Sequence, residues 1–162
     1  MTDPISYIAR RIAIKKHAST VPTGIMPMSQ VRRATVLIDS FDADASPTRK
    51  AVKDFFDPLG IAVKVICPQK WDINIFGWLK PEKPLDGKEP EEWNEDLFIS
   101  MANDEKFFAS EYAARCSRAK FKVGRRQLKG KVFDLVVTNP EDKLPLQHVV
   151  FNYIADYLNK IQ

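Results

Sequence analysis

Residues 34–67 read ATVLIDSFDADASPTRKAVKDFFDPLGIAVKVIC, and this stretch decides the fold. Ala34–Asp39 is a short apolar run centred on Val36, Leu37 and Ile38. Such runs form strands covered on both faces of a parallel sheet. Ser46-Pro47 then opens a helix that continues to about Asp57, because a serine oxygen can bond the first free N–H groups. Ala51, Val52, Phe55 and Phe56 fall on its inner face, with Lys50, Lys53, Asp54 and Asp57 outside. Pro58 and Gly60 end the helix, and Ile61–Cys67 supplies a second strand. Strand, helix and strand within about 35 residues make one βαβ unit.

The alternation continues downstream. Asp96–Met101 reads as a third strand and Asp104–Ser117 as a helix, with Phe108, Tyr112, Ala113 and Cys116 on one face. In Ser117–Arg126 the period is two, which sets Phe121 and Val123 on one face and Lys120 and Lys122 on the other. Val132–Thr138 is a fifth strand. The short turn before it implies antiparallel neighbours or an irregular crossing. Leu144–Ile161 closes the chain as a helix, with Pro145 in its first turn. Leu146, Val149, Val150, Tyr153, Ile154, Tyr157 and Ile161 form its apolar face. The expected fold is α/β: a three-layer sandwich, Rossmann-like or flavodoxin-like, with a mostly parallel five-stranded sheet and an N-terminal helical arm.

Residues 1–30 form that arm, and 31–162 a single α/β domain with an aromatic, Pro-rich insert at about 68–93. Asp3-Pro4 begins a helix to about Ala18, in which Ile5, Ile8, Ala9 and Ile12 share a face and Tyr7 and Ile14 lie almost opposite. A helix apolar on two sides packs between two bodies, such as the domain and a second subunit; the alternative is a loose arm. Ser19–Gln30 reads as an extended connector. In the insert, Trp71, Phe76 and Trp78 are candidates for a partner-binding surface, or for a satellite core that fixes the insert to the sheet.

The net charge of +4 is unevenly spread. Residues 1–33 hold six basic side chains against Asp3 alone, and residues 112–131 hold eight basic and no acidic ones. Arg118, Lys120, Lys122, Arg125, Arg126, Lys129 and Lys131 could follow a phosphate backbone. Lysines alternating on a strand also protect an exposed sheet edge, and edge protection or a plain solvated face is the preferred expectation.

The strand ends provide another candidate site. Ligands of open α/β sheets bind beyond the carboxyl ends of the strands, where Asp39, Ser40 and Asp42 follow the first strand and Asn103 and Asp104 follow the third. Those oxygens could hold a ligand or Mg²⁺, or act as turn and N-cap residues. No G-x-G-x-x-G or G-x-x-x-x-G-K-S/T occurs, so no cofactor is expected. Two histidines, His17 and His148, and two scattered cysteines, Cys67 and Cys116, support neither nucleophilic catalysis nor a zinc site. Composition, free thiols and the lack of an apolar N-terminal stretch point to a cytoplasmic protein with no membrane span.

Asp96-Leu97-Phe98-Ile99-Ser100, the helix after it and Ser117-Arg118-Ala119-Lys120-Phe121-Lys122-Val123-Gly124 together resemble an uncharacterised family of small bacterial α/β proteins, a domain of unknown function. Asp72-Ile73-Asn74-Ile75-Phe76-Gly77 resembles a motif of the same family. The resemblance covers roughly residues 34–160 and brings no assigned activity. The helix and basic strand are also distantly similar to the N-terminal half of heptosyltransferase-type glycosyltransferases. The expected role is a binding or assembly module acting through the arm and the insert. The alternatives are a polyanion binder through 115–131 and a small-ligand or metal-dependent enzyme at the strand ends.

Overall fold

The computed structural model describes residues 4–39, 45–68, 94–103, 108–138 and 146–162. Five strands form one sheet: β1 (Arg33–Leu37), β2 (Ala62–Ile66), β3 (Leu97–Ser100), β4 (Phe121–Gly124) and β5 (Leu135–Val136). Their order is β2-β1-β3-β4-β5, and every neighbouring pair is parallel. This is the flavodoxin-like order, whose switch point lies between β1 and β3. Four α-helices accompany the sheet among the described residues: α1 (Pro4–His17), α2 (Ala45–Phe56), α3 (Phe108–Cys116) and α4 (Gln147–Lys160).

Period-two alternation distributes the strands' side chains between two cores. Ala34, Val36 and Ile38 from the first strand segment join Leu97, Ile99, Phe121 and Val123 on one face. There they pack beneath Val52 and Phe56 of α2 and Phe151, Ile154 and Leu158 of α4. On the other face Leu37 and Phe98 meet Ala114 of α3, Ala119 and Phe133. Three layers result, and α1 lies beside α3.

The sequence expectations need four corrections. First, β5 starts at Leu135 rather than Val132, and of the two arrangements expected for the last two strands the irregular crossing holds, with residues 125–134 running to a parallel strand. Gln127 holds that crossing closed. Its Nε2 donates to the Phe133 carbonyl at 2.9 Å, and its Oε1 accepts from the Phe133 N–H at 3.0 Å. Second, β4 is neither an edge nor a solvated strand, since β3 and β5 flank it and α3 covers the face that carries Lys122. Third, the α4 core stripe is Gln147, Val150, Phe151, Ile154, Ala155 and Leu158, while Leu146, Tyr153 and Tyr157 are exposed. A stripe through Phe151 and Leu158 meets Phe55 and Phe56 of α2, and this packing rotates the helix away from its tyrosines. Fourth, α3 buries Phe108, Ala109, Ser110 and Ala114 and leaves Tyr112, Ala113 and Cys116 half-buried.

Gly124 ends β4 where the chain must pass close under Phe133. A Cβ there would lie 2.7 Å from two Phe133 ring carbons, inside contact distance of a buried ring. Gly124→Ala is therefore expected to destabilise the protein by roughly 1–3 kcal/mol, read as a lower urea midpoint. Adding Phe133→Leu should recover part of that loss. An alanine variant as stable as the parent would show that the ring moves aside without cost.

Candidate functional site

At the carboxyl edge of the sheet, β1 and β3 end side by side, with Leu37 in register with Ser100. Asp39 and Asn103 follow these ends and are both half-buried. Ser40, Asp42 and Asp104 lie outside the described residues, as do Trp71, Phe76 and Trp78 of the insert. Two long side chains bond to backbone groups at this edge. Gln147, fully buried at the start of α4, accepts from the Asp39 N–H at 2.8 Å and donates Nε2 to the Asp39 carbonyl at 3.1 Å. Its amide acts as one more peptide unit beside the end of β1. Arg125, also buried, donates Nη1 to the Met101 carbonyl at 3.2 Å. Among the described residues no group of three or more His, Cys, Asp or Glu could hold a metal ion.

The basic segment divides into two populations. Lys122 and Arg125 are buried, while Arg118, Lys120, Arg126, Lys129 and Lys131 are exposed. Lys122 is a fastening of the fold: its Nζ donates to the Ala114 carbonyl at 2.7 Å, one of the last carbonyls of α3. A cation there satisfies a group that the helix itself leaves open and opposes the negative end of the helix dipole. Burial holds this amine below its usual pKa, an effect offset in part by Asp134, Cys116 and Glu95 nearby. Burial also pushes the Cys116 thiol up, with the Tyr112 hydrogen bond and the Lys122 charge opposing it. Tyr112 is raised by burial and by Cys116. Both cysteines are free and half-buried.

Around Lys122 the arm is stitched to the domain. Asp134 accepts from the Lys122 N–H at 2.9 Å through Oδ2, and from Thr23 Oγ1 at 2.8 Å through Oδ1. Ser19 N–H donates to the Arg115 carbonyl and Gly24 N–H to the Lys120 carbonyl, each at 2.8 Å. The connector is therefore fixed by backbone bonds, and α1 is held where it lies.

The structure shows which side of α1 meets the domain, a point the sequence left open. Ala13 is its only buried residue among those described, and Ser6, Ala9, Arg10 and Ile14 are half-buried. The Arg10 guanidinium stacks over the Phe108 ring at 4.8 Å from its centroid. Ile5, Ile8 and Ile12 face away from the domain and are 74%, 57% and 61% exposed. The larger apolar face of this helix is thus the outward one. Small Ala9 and Ala13 let the helix approach α3 closely, and a stripe of isoleucines would not. Comparison with protein-family models, curated proteins and solved structures finds no match to this chain.

The chain has an α/β fold with a parallel five-stranded sheet. No helix among the described residues is long and apolar enough to cross a membrane.

Sequence reasoning missed Gln147 as a site-shaping residue, because a helix's first polar residue ordinarily faces water. Only its contact with Asp39, far away in sequence, marks it. It also treated the basic residues of α1 and of 115–131 separately, although the fold brings Arg11 and Lys15 alongside Arg115 and Lys129.

Proposed function

We propose that the chain is a binding and assembly module that docks through the outward face of α1 onto a second copy of itself. The observation that carries this reading is the exposed stripe Ile5, Ile8 and Ile12 on a helix anchored by its opposite side. The spacing i, i+3, i+7 is that of a helix–helix seam. Charge favours an antiparallel pair. All the basic residues of α1 lie in Arg10–His17, while Pro4–Ala9 is uncharged. Antiparallel pairing centred between Ile8 and Ala9 sets Ile5 opposite Ile12 and keeps the basic ends of the two helices apart.

The test is the mass of the full chain by light scattering over a range of micromolar concentrations. A dimer is expected, and Ile8→Glu/Ile12→Glu should reduce it to a monomer. Both residues are exposed, so the thermal midpoint of the isolated protomer should move little. A wild-type chain that stays monomeric, or a dimer that survives both glutamates, would overturn the assignment.

A further inference from the structure

A groove of about 730 Å³ runs between α1, α3 and the 125–134 crossing. Its size lies in the range of small-molecule sites. Among the described residues four cations line it, Arg11, Lys15, Arg115 and Lys129, against one carboxylate, Glu111. That carboxylate is already engaged: Arg115 Nε donates to Glu111 Oε1 at 2.9 Å. Arg115 Nη2 also donates to the Lys129 carbonyl at 2.8 Å, which fixes the guanidinium in the groove wall. Lys15 and Lys129 have no ion pair among the described residues. Tyr7 supplies an aromatic ring in the same wall, held by Arg11, whose Nη1 donates to the Tyr7 hydroxyl at 3.3 Å. Gly130 and Lys131, both at positive φ, turn the crossing back beside the groove.

We propose that this groove binds the phosphates of a nucleotide or of single-stranded RNA, with Tyr7 beside the base. The groove adjoins the isoleucine stripe and shares Ile12 with it, but it does not need the second copy, because all four cations belong to one chain. Unpaired ammonium groups beside a fixed guanidinium are suited to phosphate oxygens. An aromatic face adds stacking that tolerates any base. The groove joins the two basic blocks of the sequence, the arm and residues 112–131, and the connector bonds at Ser19 and Gly24 keep them together.

The experiment titrates the full chain with fluorescein-labelled single-stranded RNA by anisotropy and with ATP by calorimetry, at low and moderate salt. RNA binding should weaken as salt rises, with a slope near −0.7 per phosphate contact. Lys15→Gln/Lys129→Gln should weaken binding about tenfold and flatten that slope by roughly 1–1.5. Both side chains are exposed, so unchanged thermal midpoints would verify folding. Lys160→Gln, on the exposed end of α4, is the control and should change nothing. Binding of ATP but not RNA, lost in the same double variant, would assign the groove to a free nucleotide. No binding of either probe would overturn the proposal. So would equal weakening by Lys160→Gln, which would mark net charge alone.

Discussion

Gln147→Leu is expected to lower the thermal midpoint by roughly 5–15 °C. Leucine keeps most of the side chain's volume but removes the amide, so the N–H and C=O of Asp39 both lose the bond that Gln147 makes. Each stranded backbone group costs about 1–3 kcal/mol when water cannot replace the bond. Asp39 is half-buried, which sets the combined loss at about 2–4 kcal/mol. A kcal/mol moves the midpoint by about 2–4 °C in a protein of this size. Gln127 provides the internal comparison. Its amide makes the same two-way contact with Phe133, but Gln127 is exposed. The backbone groups it holds nonetheless belong to buried Phe133, so Gln127→Leu should also cost about 1–3 kcal/mol. A Gln147→Leu variant that unfolds at the wild-type midpoint would show that water takes over both bonds to Asp39.

Lys122→Ala should be nearly as damaging, at about 2–4 kcal/mol near neutral pH. It deletes a buried aliphatic stem and leaves the Ala114 carbonyl without its donor. Lys122→Met keeps the stem and removes the desolvated charge, so its loss should be smaller, about 1–2 kcal/mol. The pH dependence separates charge from packing. Burial lowers the amine's folded pKa below its ordinary value near 10.5, so the unfolded chain binds that proton more tightly. The stability contributed by this group therefore rises as pH climbs from the folded value towards about 10.5. Cys116 and Tyr112 act in the opposite sense, because their raised values let the folded protein keep protons that the unfolded chain gives up. In urea unfolding of wild type and Lys122→Met across the alkaline range, the Tyr112 contribution largely cancels, and loss of the Lys122 charge raises the Cys116 thiol further in the variant, which acts in the same direction as the amine itself. The stability of the wild type relative to the variant is expected to increase with pH, and a constant difference would mean that the amine is effectively solvated.

The elements were legible wherever local pattern and burial agree. Val36, Leu37 and Ile38 are apolar together because both faces of their strand are covered, so the run itself signals a parallel sheet. Val52 and Phe56 carry the helical period of α2. Pattern failed where a polar residue is buried or an apolar one is not. The alternation of Phe121, Lys122 and Val123 was read correctly, but its polar face was assigned to water. A lysine's long stem can lie in a core while its amine reaches a helix-end carbonyl, and sequence does not show that carbonyl. The isoleucines of α1 agree with a helix apolar on two sides, but their periodicity marks a face without saying what covers it.

By itself the sequence determined the strands, the helices and the βαβ alternation, because these follow from side-chain period and from where glycine and proline interrupt it. Only the tertiary structure decided that β4 is internal, that Gln147 closes the end of β1, and that two basic blocks about a hundred residues apart face each other across one groove. Those are contacts between segments distant in the chain. Burial and charge act through space, so local sequence order carries no record of them.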